Sequence, residues 1–183
     1  MRVIIGMTGA SGAIFGVEFL RRCQAEKFLI LTKWGRYVLK EETGLTEHHL
    51  AEYVKRTFAD EDLAAPFSSG STPFDALVIL PCSASTMAKI ACGIADTLLT
   101  RTAAVALKER RKLIIGLRET PLSTIHLEQA HKLSLAGAIV MPVSPPFYQH
   151  PKTIDEMAGQ FADKVLGLLG FETQLAWKPQ LLE

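Results

Sequence analysis

Residues 3–13 read Val3-Ile4-Ile5-Gly6-Met7-Thr8-Gly9-Ala10-Ser11-Gly12-Ala13, and this stretch decides the fold. An apolar run that is short, unbroken and β-branched predicts a strand buried on both faces. Small and glycine residues end it at 8–12. From Ala13 to Cys23 the apolar positions Ile14, Val17, Phe19, Leu20 and Cys23 return at helical spacing, so the strand turns directly into a helix.

The same alternation continues outward. Further apolar runs predict strands over 28–31, 76–80, 113–117 and 138–141, with Pro81 expected to stop the third strand. Helical spacing fills the gaps: a helix ending near 38–42, another over 46–58 capped by Thr46, then 85–92 and 98–111. Ser123 caps a helix running to 135, and Thr153 with Glu156 forms a capping-box pair before a last helix to 169. The segment 64–73, with its Ser-Ser-Gly-Ser, reads as a loop. Strand–helix alternation of this kind predicts an α/β fold, a Rossmann-like three-layer α/β/α sandwich with a mostly parallel sheet. Residues 1–183 are expected to form a single domain.

Composition narrows the function. Lys and Arg number 20 against 19 Asp and Glu, a formal net charge of +1, which argues against gripping nucleic acid by bulk charge. No apolar run reaches the roughly 18 residues of a membrane span, and the start of the chain lacks a signal-peptide core. Cys23, Cys82 and Cys92 form neither a disulfide framework nor a C-x-x-C motif. A cytoplasmic protein is expected.

In such a sheet, ligands bind beyond the carboxyl ends of the strands. After the first strand, Thr8–Ala13 offers small residues and helix-start N–H groups to an anion, or is simply a tight glycine turn. It also resembles a short-chain dehydrogenase, but the one Tyr-x-x-x-Lys pair, Tyr148 and Lys152, is surrounded by Pro145, Pro146 and Pro151 and does not suit a helix. No acidic residue follows the second strand to hold a ribose; Thr32-Lys33 stands there.

Pro81-Cys82-Ser83-Ala84-Ser85-Thr86 offers three hydroxyls at another helix start, as an anion cradle or an ordinary serine cap. Cys82 has no histidine nearby in sequence to activate it and reads as a small core residue. Arg118-Glu119 follows the fourth strand, as a phosphate ligand beside a general acid or base, or as a structural ion pair. Arg110, Arg111 and Lys112 read as a solvated helix end. Tyr148 follows the fifth strand on a proline-rich loop. His126 and His131 are at i and i+5, the wrong spacing for one metal, so no metal is expected.

Taken in order, these strings resemble the flavin prenyltransferases, the UbiX family. The resemblance runs through Thr8–Ala13, Ser68-Ser69-Gly70-Ser71, Pro81–Thr86, the stretch from Arg101 through Lys108 to Arg111, Arg118-Glu119-Thr120-Pro121, His126-Leu127 and Pro145-Pro146-Phe147-Tyr148. It implies a subunit of a large homo-oligomer, typically a dodecamer, with FMN at a subunit interface. The implied reaction joins the dimethylallyl group of dimethylallyl phosphate to N5 and C6 of reduced FMN, making prenylated FMN for a UbiD-type decarboxylase, for example in quinone biosynthesis.

By motif, the resemblance implies FMN contacts from Gly9, Ala10, Ser11, Thr32, Ser83, Thr86, Arg101 and Arg118. It implies a prenyl-phosphate site of Lys108, Arg118, Tyr148 and Lys164, some from a neighbouring chain, with Trp177 near its substrate end. Glu119 would manage protons at the leaving phosphate, and Ser11 and Glu42 proton movement at the flavin. Thr32 stands where the family more often has serine, and Lys164 where it has Arg or Lys. The alternatives are an FMN-dependent cysteine-type decarboxylase of the same fold, whose loop would carry an asparagine that 81–86 lacks, and a non-catalytic flavin carrier.

Overall fold

The computed structural model describes residues 1–173. Six strands, β1 (Arg2–Met7), β2 (Glu26–Leu31), β3 (Arg56–Ala59), β4 (Ala76–Cys82), β5 (Lys112–Leu117) and β6 (Ile139–Pro142), form one sheet in the order β3-β2-β1-β4-β5-β6. Every neighbouring pair is parallel. Chain direction of travel across the sheet reverses between β1 and β4, which opens a crevice at their carboxyl ends.

The alternation of side chains along each strand feeds two cores. Ile4, Leu77, Ile79, Leu113 and Ile115 face one layer, against α4 (Ala84–Ala91), α5 (Leu98–Lys108) and Leu133 of α6 (Thr124–Leu135). Val3, Ile5, Val78, Leu80 and Ile114 face the other, against α1 (Ala13–Arg22), α7 (Ile154–Leu169), and Leu39 of α2 (Lys33–Thr43) and Leu50 of α3 (Glu47–Leu50). Each such buried aliphatic side chain contributes about 1.5–3 kcal/mol, so the unbroken apolar strands follow from having two covered faces. Gly16 lets α1 lie directly on β4: a Cβ there would fall 2.5 Å from the Leu80 carbonyl oxygen.

Three expectations need correction. The helix expected over 46–58 breaks up into α3, a single 3-10 turn at Ala51–Tyr53, and β3, an edge strand. Pro81 does not stop the third predicted strand; β4 runs on to Cys82, and its pairing with β5 shifts register between Ile79 and Cys82. A proline has no N–H for the ladder, and an irregularity is how a strand carries one. Arg111 is not a solvated helix end: its guanidinium donates to the carbonyls of Thr72 (2.8 Å) and Gly70 (2.6 Å) and lies 4.3 Å from the Phe74 ring centroid.

Candidate functional site

At the carboxyl ends of β1, β2, β3 and β4 lies a cavity of about 260 Å³. One residue or pair from the end of each strand lines it: Thr8 and Gly9 after β1, Thr32 after β2, Asp60 after β3, and Ser83 after β4. Thr86 joins from α4, Thr97 and Thr100 from the start of α5, and Trp34 from α2.

The rim is built from local chemistry. Buried Thr8 ties β1 to β4, its hydroxyl donating to the Pro81 carbonyl (2.9 Å) and accepting the Ser83 N–H (2.8 Å). Ser83 in turn caps α4, its Oγ accepting the Thr86 N–H and lying 3.0 Å from the Thr86 hydroxyl. Thr32 caps α2 by accepting the Gly35 N–H at 3.0 Å, which leaves its hydroxyl proton for another acceptor. Replacing Thr8 with valine keeps the shape and deletes both side-chain bonds. The expected result is a loss of about 1–3 kcal/mol of stability, read as a lower urea midpoint at unchanged slope.

Among the described residues, Asp60 is the one carboxylate lining this cavity. Burial pushes its pKa up, opposed by hydrogen bonds from the Leu99 N–H (2.9 Å) and the Thr97 side chain. Lys89, also on the cavity, pairs with Asp96 at 2.8 Å and holds that carboxylate below its usual range.

A second cleft, about 680 Å³, holds Ser11 and Glu42 together with Phe15 and Ile154. Here the sequence expectation of free N–H groups at the start of α1 is overturned. Glu42 Oε2 already accepts the N–H groups of Gly12 (2.8 Å) and Ala13 (2.9 Å). Gly12 itself sits at φ 96°, a left-handed turn that favours glycine. Ala10 is buried beneath the turn.

Arg118 and Glu119 follow β5, and the Arg118 N–H donates to Cys82 O at 3.0 Å, tying this end to β4. Both side chains are exposed, and Glu119 Oε1 accepts the Thr120 N–H at 3.1 Å. Tyr148 lies beyond β6, at the same end of the sheet.

The remaining expected side chains within the described residues do not line this cavity in one chain. The Arg101 Nε is turned to the Ser68 carbonyl at 2.9 Å. Lys108 closes α5 and pairs with Glu109, whose carboxyl it holds below the usual range. That places Lys108 about 15 Å along the helix from the residues lining the cavity. Lys164 is exposed on α7, about 15 Å from its start. Trp177 lies outside the described residues.

Burial pushes the Cys82 thiol up to about 12, so it supplies no thiolate near neutral pH. Among the described residues no three His, Cys, Asp or Glu side chains group to hold a metal. A cleft of about 560 Å³ at the amino end of the sheet has its charges already engaged: Arg2 pairs with Glu26, Asp75 accepts the Arg2 N–H, and Arg111 donates to backbone carbonyls. Sequence reasoning missed Asp60, Trp34 and Lys89. Asp60 alone had a usable signal, its place just after a strand that was read as helix.

Residues 1–165 match the model of the Flavoprotein family. The chain is 43% identical over 176 residues to the flavin prenyltransferase UbiX of Thermoplasma acidophilum, covering 96% of this chain and 98% of that one. Its fold superposes with a TM-score of 0.91 on AnUbiX (PadA1) in complex with FMN and dimethylallyl pyrophosphate, at 37% identity over 97% of this chain and 98% of that one. A dodecameric FMN-dependent UbiX-like decarboxylase from Escherichia coli O157:H7 gives a TM-score of 0.92 at 40% identity, covering 97% and 99%.

Proposed function

The chain belongs to the UbiX family of flavin prenyltransferases, and we propose from that premise that it joins the dimethylallyl group of dimethylallyl phosphate to N5 and C6 of reduced FMN. The observation that carries the reading is the hydroxyl-lined cavity at the β1/β4 crevice, with Arg118-Glu119 beyond the adjacent strand β5. Hydroxyls suit a phosphate and a polyol, so the residues fit FMN. At about 260 Å³ the cavity is smaller than the roughly 300–1,000 Å³ of sites that enclose a whole ligand. It suits the polar chain of the flavin and leaves the ring system to a surface beyond it.

Gly9, Ala10, Ser11, Thr32, Ser83, Thr86, Arg101 and Arg118 hold FMN in this reading. Lys108, Arg118, Tyr148, Lys164 and Trp177 hold the prenyl phosphate. Reduced FMN supplies the carbon and nitrogen nucleophiles. Breaking the allylic C–O bond puts negative charge on the departing phosphate, and the cations with the Tyr148 phenol stabilise it there. Glu119 gives a proton to the leaving oxygen. Ser11 and Glu42, on one cleft, move a proton at the flavin edge.

Lys108 and Lys164 lie a helix length from the Arg118 end, so a second copy supplies them. We therefore read the protein as a homo-oligomer whose prenyl-phosphate sites form between its own copies, and as a dodecamer, the assembly of its E. coli neighbour. Residues 1–183 act as one domain, in the cytoplasm, where unbridged cysteines are usual. The prenylated FMN passes to a UbiD-type decarboxylase, for example one of quinone biosynthesis.

Anaerobic incubation of the protein with reduced FMN and dimethylallyl phosphate tests the reaction. Mass spectrometry is expected to find flavin carrying one added dimethylallyl unit, only when protein is present. Unmodified flavin with both the monophosphate and the diphosphate would reject the transferase.

A further inference from the structure

In sheets with this strand order, the carboxylate that receives sugar hydroxyls commonly follows the second strand. Here Thr32 occupies that place, as the N-cap of α2. The next strand outward, β3, instead delivers Asp60 to the same cavity. Its side chain belongs to a residue only 8% exposed, and it is fixed on the protein side by the Leu99 N–H at 2.9 Å and by the Thr97 side chain. A carboxylate has about four lone-pair sites, so two donors leave acceptor capacity on a group that lines the cavity.

The parts of FMN differ in what they offer such a group. The phosphate is anionic, brings no donor when fully ionised, and is repelled. The ring system is broad, flat and mostly apolar, a poorer match than the polyol for a lining rich in Ser and Thr hydroxyls. The ribityl chain is uncharged and carries hydroxyl donors. We propose that Asp60 accepts a hydrogen bond from a ribityl hydroxyl and so selects flavins with an intact polyol. The assignment rests on the FMN reading above. It also fixes polarity within the site: the chain of the flavin lies toward β3, and the phosphate toward the hydroxyls of Ser83 and Thr86 at the start of α4.

Removing a ligand hydroxyl and removing the carboxylate are the two arms of a cycle that separates recognition from scaffolding. Full-length wild type and Asp60→Asn are titrated with FMN and with its 2′-, 3′- and 4′-deoxyribityl analogues, by flavin fluorescence. Asn keeps a carbonyl oxygen for the Leu99 N–H. Against the wild type, one analogue is expected to bind about 10- to 100-fold more weakly than FMN, the range for a hydrogen bond to a charged group. In Asp60→Asn that penalty is expected to shrink below about threefold, with FMN itself weakened. If Asp60→Asn does not fold, Asp60→Glu replaces it; it keeps the charge but displaces it by a methylene, and the same collapse of the penalty is expected.

An analogue penalty that persists undiminished in the folded variant overturns the assignment, because Asp60 then only braces α5. Equal binding of FMN and all three analogues to the wild type overturns it as well. Failure of the wild type to bind FMN at all would instead reject the flavin reading, and the assignment with it.

Discussion

Glu119→Gln lowers turnover by about a hundredfold or more, the range lost with a general acid, while FMN affinity stays within about twofold of the wild type on the same argument. The substitution is nearly isosteric, and the glutamine carbonyl can still accept the Thr120 N–H that Glu119 Oε1 receives at 3.1 Å. The turn after β5 is therefore retained, and so is the Arg118 N–H bond to Cys82 O. What disappears is a proton donor for a leaving oxygen that gains charge only as its bond breaks. Such a group acts in the transition state, so kcat and kcat/KM should fall together with little change in KM for the prenyl phosphate. A KM effect with unchanged kcat would make Glu119 a binding residue.

The second large effect appears in mixtures. Lys108→Ala is expected to be nearly inactive by itself, because the departing phosphate loses a point charge where compensation is needed most. Co-assembled with Glu119→Gln subunits, it should regain activity. A site that takes Glu119 from one copy and Lys108 from another is intact whenever the first copy carries Lys108→Ala and the second Glu119→Gln. Random equal mixing makes about a quarter of the sites whole in a symmetric assembly. The reason lies in α5: Lys108 closes the helix whose opening residues line the cavity of its own chain. If each copy used its own Lys108, no mixture would recover.

Much of this architecture was legible because a parallel sheet covered on both faces needs continuous apolar strands, and 3–7, 76–80 and 113–117 supply them. β3 escaped because Arg56-Thr57-Phe58-Ala59 buries only Phe58 and follows a stretch with helical spacing. One buried residue in a four-residue edge strand sets no period. The cost was Asp60, whose significance depends on standing at a strand end. Gly9, Ser83 and Thr86, which line the cavity, were legible for the opposite reason, since each lies just beyond a strong strand or at the first turn after one, whereas Thr32 entered only through the family resemblance. The Glu42 bond to Gly12 and Ala13 spans about thirty residues and depends on how α2 lies beside α1. No local pattern announces such a bond. Arg111 was misread likewise, since its partners at Gly70 and Thr72 lie in a loop whose path only the fold defines.

The two border strands bear on how copies of this chain can meet. β3 and β6 have four residues each, β6 ends in Pro142, and Pro145 and Pro146 follow it. Short borders with imino acids at one of them are poor templates for adding another strand. Growth of the sheet from chain to chain, which would run on without limit into fibres, is thereby discouraged. Association is left to helices and loops, whose contacts can close into a finite shell, so a molecule at high local concentration can stay a counted particle rather than a filament.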